Sequence, residues 1–244
     1  MNLDRIIAVR NSITVFRDNE LCIKMFNSDY AKADVYEEAF VHATVEATGL
    51  SMPKIREVSS ISGKWSIVSD YIKGKSLARL ASENPEKKEE YIELLAKLQV
   101  QIHEKSCPRL YKLSDRFLNA IMRSDLSATL RYDLASRLDK MPMSSGLCHG
   151  DLDMGNIVID ENGNAFIVDW AQAACGAAAA DVALTYLSLL LEDGSECADK
   201  YLSFRCTIGG VANEDVESWL PLAAAARIVD ANERQRGLLA PYIN

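Results

Sequence analysis

The first 70 residues alternate apolar and polar positions in the way that is typical of β-strands, with one helical interruption. Apolar residues spaced three and four apart predict that helix over residues 32–48, with Gly49 as its C-cap. The predicted strands cover residues 5–10, 12–16, 21–26, 55–59 and 64–70. The pattern therefore predicts an antiparallel sheet of five strands with one helix.

Beyond residue 84 the apolar spacing becomes that of amphipathic helices. The first begins at Asn84-Pro85, because Asn caps a helix and Pro fits its first turn. The predicted helices cover residues 85–105, 112–123, 126–140, 178–191, 198–208, 214–229 and 231–243. One β-hairpin interrupts them, in which the apolar runs 157–159 and 165–168 flank a turn with the sequence Asn162-Gly163.

Composition and charge exclude several classes of protein. A length of 244 residues allows one large domain or two small ones. Hydrophobic residues make up 48% and charged residues 25%, which is ordinary for a soluble globular protein. The net charge of −8 argues against nucleic-acid binding, which needs a basic surface, and is compatible with a cationic small substrate.

Cysteine usage and apolar runs indicate the compartment. The six Cys form no C-x-x-C pair and only three His are present, so neither a disulfide framework nor a zinc site is expected. Residues 1–5 lack the apolar segment of a signal peptide. The most apolar stretch, 171–191, is interrupted by Gln172 and Asp181 and is a poor membrane span. We therefore expect a cytoplasmic protein without a membrane partner.

The hairpin carries the candidate chemistry. His149-Gly150-Asp151 precedes it, and its two ends carry Asn156 and Asp169, which should lie side by side. Asn and Asp offer hard oxygen ligands for Mg²⁺. The spacing D-x-x-x-x-N is that of the kinase catalytic loop, whose Asp accepts the proton of an attacking hydroxyl. The alternative is a surface hairpin with turn-favouring Asp and Asn.

The run H-G-D-L-x-x-x-N, followed by I-V-I-D and V-D-W, resembles the aminoglycoside phosphotransferase and choline kinase-like family of small-molecule kinases, in the protein kinase-like superfamily. The resemblance implies a bilobal α+β fold. Residues 1–72 would form a nucleotide-binding N-lobe with a small antiparallel sheet and one helix. Residues 73–244 would form a mainly helical C-lobe with the catalytic loop and acceptor pocket. Asp151 would be catalytic, and Asn156 and Asp169 would hold Mg²⁺.

The same resemblance assigns a nucleotide phosphate site. Lys24, the single charge inside an apolar strand, matches the kinase lysine that neutralises the α- and β-phosphates. An edge-strand lysine facing water would give the same pattern. Glu38 is the expected partner of Lys24, with Glu37 a close rival and a solvated helix face the alternative.

Two backbone segments complete the expected nucleotide site. Ser12 matches the small hydroxyl residue of the loop over the phosphates, in which Arg10 stands where a glycine is common. The backbone groups of the segment from Asp70 to Ile72 form the expected hinge that holds adenine.

The predicted function is the Mg²⁺-dependent transfer of the γ-phosphoryl group of ATP (or GTP) to a hydroxyl of an aminoglycoside-like compound, an amino alcohol or a sugar. The interval after Trp170 is too short for a protein-kinase activation loop and contains no A-P-E, which disfavours a protein substrate. The alternative is a non-catalytic, kinase-like nucleotide-binding or interaction module. The complete set of Lys24, Asp151, Asn156 and Asp169 argues against that alternative.

Overall fold

A computed structural model describes residues 5–10 and 12–243. The chain packs as two compact units, one of residues 1–80 with 155–171 and one of residues 81–154 with 172–244. The hairpin thus belongs to the same unit as the N-terminal sheet. The sequence-based division into residues 1–72 and 73–244 places it with the helices. The first unit is built mainly on β-sheet and the second mainly on helices, which confirms the predicted α+β class.

The first unit contains the predicted five-stranded antiparallel sheet, in the order β1-β2-β3-β5-β4. Its strands are β1 Arg5–Arg10, β2 Ile13–Asp18, β3 Leu21–Phe26, β4 Ile55–Ile61 and β5 Lys64–Asp70. The predicted helix, α1, spans Lys32–Glu46. Its buried residues Val35 and Ala39 pack on Phe26 and Ile67 of the sheet, and this apolar cluster holds the helix against the central strands.

A second sheet in the first unit contains the hairpin, in the order β6-β8-β9. The hairpin strands β8 and β9 span Ile157–Asp160 and Ala165–Ile167, while β6 spans Gly74–Ser76. The sequence did not predict β6, because three residues without apolar alternation give no strand signal. Its pairing depends on Gly74, since a Cβ at this position would overlap the backbone carbonyl of Ile159.

Helices form most of the second unit. The helices that follow α1 are α2 Leu77–Glu83, α3 Lys88–His103, α4 Leu113–Arg123, α5 Ala128–Leu138, α6 Ala178–Asp193, α7 Ser195–Ile208, α8 Asn213–Arg227 and α9 Glu233–Leu239. The short α2 was not predicted. Helix α6 is buried along almost its whole length, which accounts for its mainly apolar sequence, and its polar residues Asp181, Thr185 and Ser188 are buried as well.

Three features of the second unit differ from the sequence prediction. Residues Pro85–Lys87 form a separate 3₁₀ turn before α3, and α9 is followed by the 3₁₀ turn Ala240–Tyr242. Two three-residue strands, β7 Gly146–Cys148 and β10 Ala174–Gly176, pair antiparallel and were not predicted. Within the described part of the chain, no helix combines the length and apolar character that crossing a membrane requires.

Candidate active site

Lys24 lies at the centre of a cluster of charges in the first unit. Its Nζ is 2.5 Å from Glu38 Oε1 and 3.2 Å from Asp169 Oδ1. The three side chains are 20%, 14% and 22% exposed, so these ion pairs are shielded from most of the solvent. Strand β3 lies between β2 and β5, which rules out the edge-strand explanation of Lys24. Glu37, the rival of Glu38, is exposed.

The surroundings of Lys24 keep it charged. Burial alone would lower the pKa of its ammonium, but the charges of Asp169 and Glu38 and their hydrogen bonds outweigh burial and raise that pKa above its ordinary value. Lys24 is therefore a permanent cation at neutral pH. A compact ammonium held in this way can act as a point charge towards phosphate.

The hairpin brings Asn156 to the same end as Asp169. The Val168 amide donates to the Asn156 carbonyl over 2.9 Å, one residue before Asp169. Asn156 is buried, and Asp169 adopts a φ of 60°, in the left-handed region that non-glycine residues seldom occupy. Such strain collects at functional sites, because the surrounding structure must hold it in place.

The donor set of Asn156 and Asp169 fits Mg²⁺. Among the described residues no group of three or more His, Cys, Asp or Glu side chains forms a dedicated metal cage. Mg²⁺ usually binds through one or two carboxylates, keeps several waters and completes its shell with substrate phosphates. An amide oxygen and a carboxylate suit that mode of binding.

The hydrogen bonds of the predicted hinge, residues 70–72, differ from one residue to the next. The Asp70 carboxylate is engaged by Arg56 Nε at 2.6 Å and by the Lys54 amide at 3.3 Å. The amides of Asp70 and Tyr71 donate to other backbone carbonyls. Ile72 takes part in no backbone hydrogen bond between residues that the structure describes.

The predicted phosphate loop is described only in part. Asn11 lies outside the described residues, as does the side chain of Arg10. Ser12 occupies the turn before β2, and its carbonyl accepts from the Asn27 amide over 2.9 Å.

The predicted catalytic loop, His149-Gly150-Asp151, belongs to the second unit, and close backbone contacts fix its shape. Gly150 has a φ of 80°, and a Cβ there would overlap the Gln172 carbonyl oxygen, so only glycine fits. The buried His149 accepts a hydrogen bond at Nδ1 from the Asp151 amide over 3.3 Å. This contact supports the prediction that His149 shapes the loop.

Asp181 anchors the same loop from α6. Its carboxylate accepts hydrogen bonds from the backbone amides of His149 and Gly150 over 3.2 Å and 2.7 Å. It also accepts from Gln99 over 3.1 Å and pairs with His103 over 2.9 Å. Burial would raise the pKa of Asp181, but the His103 hydrogen bond and charge and the Gly150 amide lower it below its ordinary value. A buried carboxylate that stays ionised thus fixes the loop carrying Asp151.

Sequence analysis missed one residue at the site, Arg227. Its Nη2 lies 3.2 Å from Asp151 Oδ1 and 2.5 Å from Ser188 Oγ. An arginine in the last turn of a helix is ordinary, because a cation there suits the helix dipole. Asp151 is 76 residues away in the chain, so no local pattern could have revealed the contact.

The predicted site residues thus fall into two groups. Lys24, Glu38 and Asp169 form one cluster in the first unit, with Asn156 at the same hairpin end. Asp151 is part of the second unit, five residues before Asn156 in the chain.

Solved structures of phosphotransferases share the fold of this chain. An aminoglycoside-3'-phosphotransferase of type VIII has a TM-score of 0.67 and 18% identity, over 91% of this chain and 93% of that one. The choline kinase LicA from Streptococcus pneumoniae has a TM-score of 0.65 and 16% identity, over 99% and 94%. A thermostable mutant of aminoglycoside phosphotransferase APH(4)-Ia, in ternary complex with AMP-PNP and hygromycin B, has a TM-score of 0.68 and 13% identity, over 98% and 92%.

These similarities confirm the kinase-like α+β fold. At identities below one fifth they establish the fold alone. No curated protein sequence matches the chain significantly. The model of the phosphotransferase enzyme family, however, matches residues 8–219, which is most of the sequence. The chain therefore belongs to the phosphotransferase enzyme family.

Proposed function

We propose that this phosphotransferase moves the γ-phosphoryl group of ATP (or GTP) to a hydroxyl of a small molecule, with Mg²⁺ as cofactor. The observation that carries the proposal is the half-buried Lys24 between Glu38 and Asp169. Kinase-type phosphoryl transfer uses a lysine fixed by a glutamate together with an aspartate for the metal. A structure of similar fold holds AMP-PNP, which supports ATP as the donor.

The first unit would bind the nucleotide. Lys24 would neutralise the α- and β-phosphates, with Glu38 fixing its position. Ser12 would lie over the phosphates, and the backbone of Asp70 and Ile72 would hold the base.

Asn156 and Asp169 would hold Mg²⁺. When bound, the metal supplies positive charge to the phosphate oxygens. With the metal bound, the Asp169 carboxylate would contact Mg²⁺ in place of Lys24. The Lys24 ammonium could then contact phosphate.

Asp151 would handle the proton in the transfer itself. The acceptor oxygen forms a bond to the γ-phosphorus, and the bond from that phosphorus to the β,γ-bridging oxygen breaks. The proton of the acceptor hydroxyl passes to an Asp151 oxygen, so that the products are ADP and a phosphate monoester.

The test is ADP release from Mg·ATP across a panel of aminoglycosides, amino alcohols, thiamine, sugars and hydroxy acids. We expect acceptor-dependent release that falls by at least about 1,000-fold in Asp151→Ala, because the proton acceptor is lost. ATP binding should persist in that variant, as measured by the ATP-dependent rise in Tm.

The matched control is Asp125→Ala, which removes a carboxylate from an exposed ion pair with Arg236 in the same unit. That variant should retain its turnover. Equal turnover in Asp151→Ala and the parent would overturn the assignment of Asp151. ATP binding without transfer to any acceptor would favour the non-catalytic nucleotide-binding alternative.

A further inference from the structure

The guanidinium of Arg227 lies beside the carboxylate of Asp151, the proposed proton acceptor. Its Nη2 contacts both Asp151 Oδ1 and Ser188 Oγ, while the Arg227 side chain is only 21% exposed. Its Nε is buried and has no hydrogen-bond partner among the described residues. An unpaired buried donor is costly, so the position of this guanidinium depends on its Nη2 contacts to Asp151 and Ser188.

The ion pair between Asp125 and Arg236 in the same unit provides a comparison. There Nη1 contacts both carboxylate oxygens, over 2.9 Å and 2.8 Å, and Asp125 is 67% exposed. The pair of Arg227 and Asp151 is more buried, and its contact joins Nη2 to the single oxygen Oδ1. Arg227 therefore retains donor capacity beyond its contacts to Asp151 and Ser188, because a guanidinium carries five N–H groups.

A second arginine lies beside the catalytic loop. Arg116 Nη1 donates to Gln172 Oε1 over 2.6 Å, and the Gln172 backbone packs against Gly150. By contrast, Asp230 and Glu233, the acids that follow Arg227 in the chain, are exposed. Arg227 and Arg116 are thus two cations beside a loop that also carries Asp153 and contacts the buried carboxylate of Asp181.

This placement constrains the acceptor. Its hydroxyl must come within hydrogen-bond distance of Asp151 to lose a proton, which brings the rest of the molecule close to the Arg227 guanidinium. The guanidinium would repel an amine at that position. It would donate charge-assisted hydrogen bonds to the oxygens of a carboxylate or phosphate.

We propose that the acceptor is a small hydroxylated oxyanion whose carboxylate or phosphate binds Arg227 while its hydroxyl binds Asp151. The inference rests on the proposed phosphotransferase function and departs from the cationic acceptor that the net charge allowed. In the transfer, the acceptor oxygen gains the γ-phosphoryl group, ADP leaves, and the hydroxyl proton passes to Asp151.

The test compares acceptors that share a carbon skeleton and differ in charge. The three-carbon set is glycerate, glycerol 3-phosphate, glycerol and 2-amino-1,3-propanediol, and the six-carbon set is gluconate, glucitol 6-phosphate, glucitol and glucamine. We expect an anion to have a kcat/KM on the order of 100-fold above its neutral partner. The carboxylate and phosphate members distinguish the two forms of oxyanion.

Arg227→Gln separates recognition of the anion from a merely structural role. We expect it to raise KM for the preferred anion by about tenfold or more and to change the weak rate with the neutral partner much less. Arg236→Gln, the control, should behave like the parent. A preferred cationic or neutral acceptor, or an equal loss with every acceptor in Arg227→Gln, would overturn the proposal.

A binding measurement covers the case in which none of these compounds is phosphorylated. With Mg·AMP-PNP bound, the anions should raise Tm in the parent and in Arg236→Gln but not in Arg227→Gln. If AMP-PNP raises Tm and no anion does, the inference about the acceptor fails, and ADP release with the aminoglycosides, amino alcohols and sugars of the wider panel decides the proposed function separately. If AMP-PNP itself has no effect, the proposed function fails and the inference fails with it.

Discussion

Lys24 separates two carboxylates that would otherwise repel each other. Glu38 and Asp169 both contact its ammonium, and all three side chains are mostly withdrawn from solvent. Ion pairs in such a position are screened less by salt than surface pairs. Removing the central charge leaves the remaining carboxylates close together without compensation, which is more damaging than losing an exposed pair.

We therefore predict that Lys24→Met, which keeps most of the apolar stem, lowers kcat/KM for ATP on the order of 100-fold. It should also lower the free energy of unfolding at neutral pH. Because the pKa of Lys24 is raised in the folded state, its contribution is complete below the ordinary lysine pKa of about 10.4 and is lost as pH rises through the raised value.

The control is Lys73→Met, which breaks an exposed pair with Glu161 in the same unit. Urea unfolding from pH 6 to 11 and steady-state kinetics check both variants. Lys73→Met should match the parent in both measurements. A Lys24→Met variant with parental kinetics would show that Lys24 does not contact the nucleotide.

At the level of elements, close approach of two backbone segments positions the proposed catalytic loop, His149-Gly150-Asp151. Gly150 lies against the Gln172 carbonyl, and the loop amides are fixed by Asp181 from α6. Gly163 in the hairpin turn has a similar φ of 85°, but a Cβ there would meet no atom within 4 Å. Substituting Gly163 therefore tests the cost of the left-handed backbone alone, whereas substituting Gly150 tests that cost together with steric overlap.

Gly163→Ala should cost about 1 kcal/mol in unfolding free energy, from the left-handed backbone alone, and leave kcat unchanged. Gly150→Ala should cost more and lower kcat by at least about 100-fold, because the loop must shift to admit the Cβ. Urea unfolding and acceptor-dependent ADP release measure both effects. Equal consequences for the two variants would contradict the role assigned to the Gly150 contact.

The buried carboxylate of α6 gives the loop a dependence on pH. We predict that Asp181→Asn lowers the unfolding free energy at neutral pH by about 3 kcal/mol, since it leaves His103 and two loop amides without their anion. The pKa of Asp181 is lowered on folding, so its contribution is complete above the ordinary aspartate pKa of about 3.9 and is lost as pH falls through the lowered value.

Over the range from about pH 7 to about pH 3, the difference in stability between the parent and Asp181→Asn should therefore shrink as pH falls below about 4. Asp193→Asn, which removes a carboxylate from the other end of α6, is the control. Urea titrations across this pH range provide the measurement. A difference that grows on acidification would contradict the ionised state of Asp181.

For the whole molecule, the sequence predicts the helices and strands that have a periodic pattern of apolar residues. Alternating runs specified the sheet that carries Lys24, and helical spacing specified α1 and α3 to α9 with small shifts at their ends. Strands β6, β7 and β10 were missed, because three residues that pair with distant partners leave no local pattern.

The site shows the same division. Asn156 and Asp169 could be placed together, because a hairpin with a short turn fixes which residues meet at its ends. The Arg227 contact to Asp151 joins segments that are distant in the chain and depends on how the helices of the second unit pack. Sequence reasoning therefore placed together the residues that local pairing joins, but it gave no sign of contacts that depend on how distant helices pack.

The most direct test of the central claim follows the phosphoryl group itself. ATP labelled at the γ-phosphorus is incubated with Mg²⁺, the protein and each member of the acceptor panel, and the labelled products are separated. We predict label in a small phosphate monoester, formed by the parent and by Asp125→Ala but not by Asp151→Ala. Label that stays in ATP, or that appears only as inorganic phosphate with every acceptor, would contradict it.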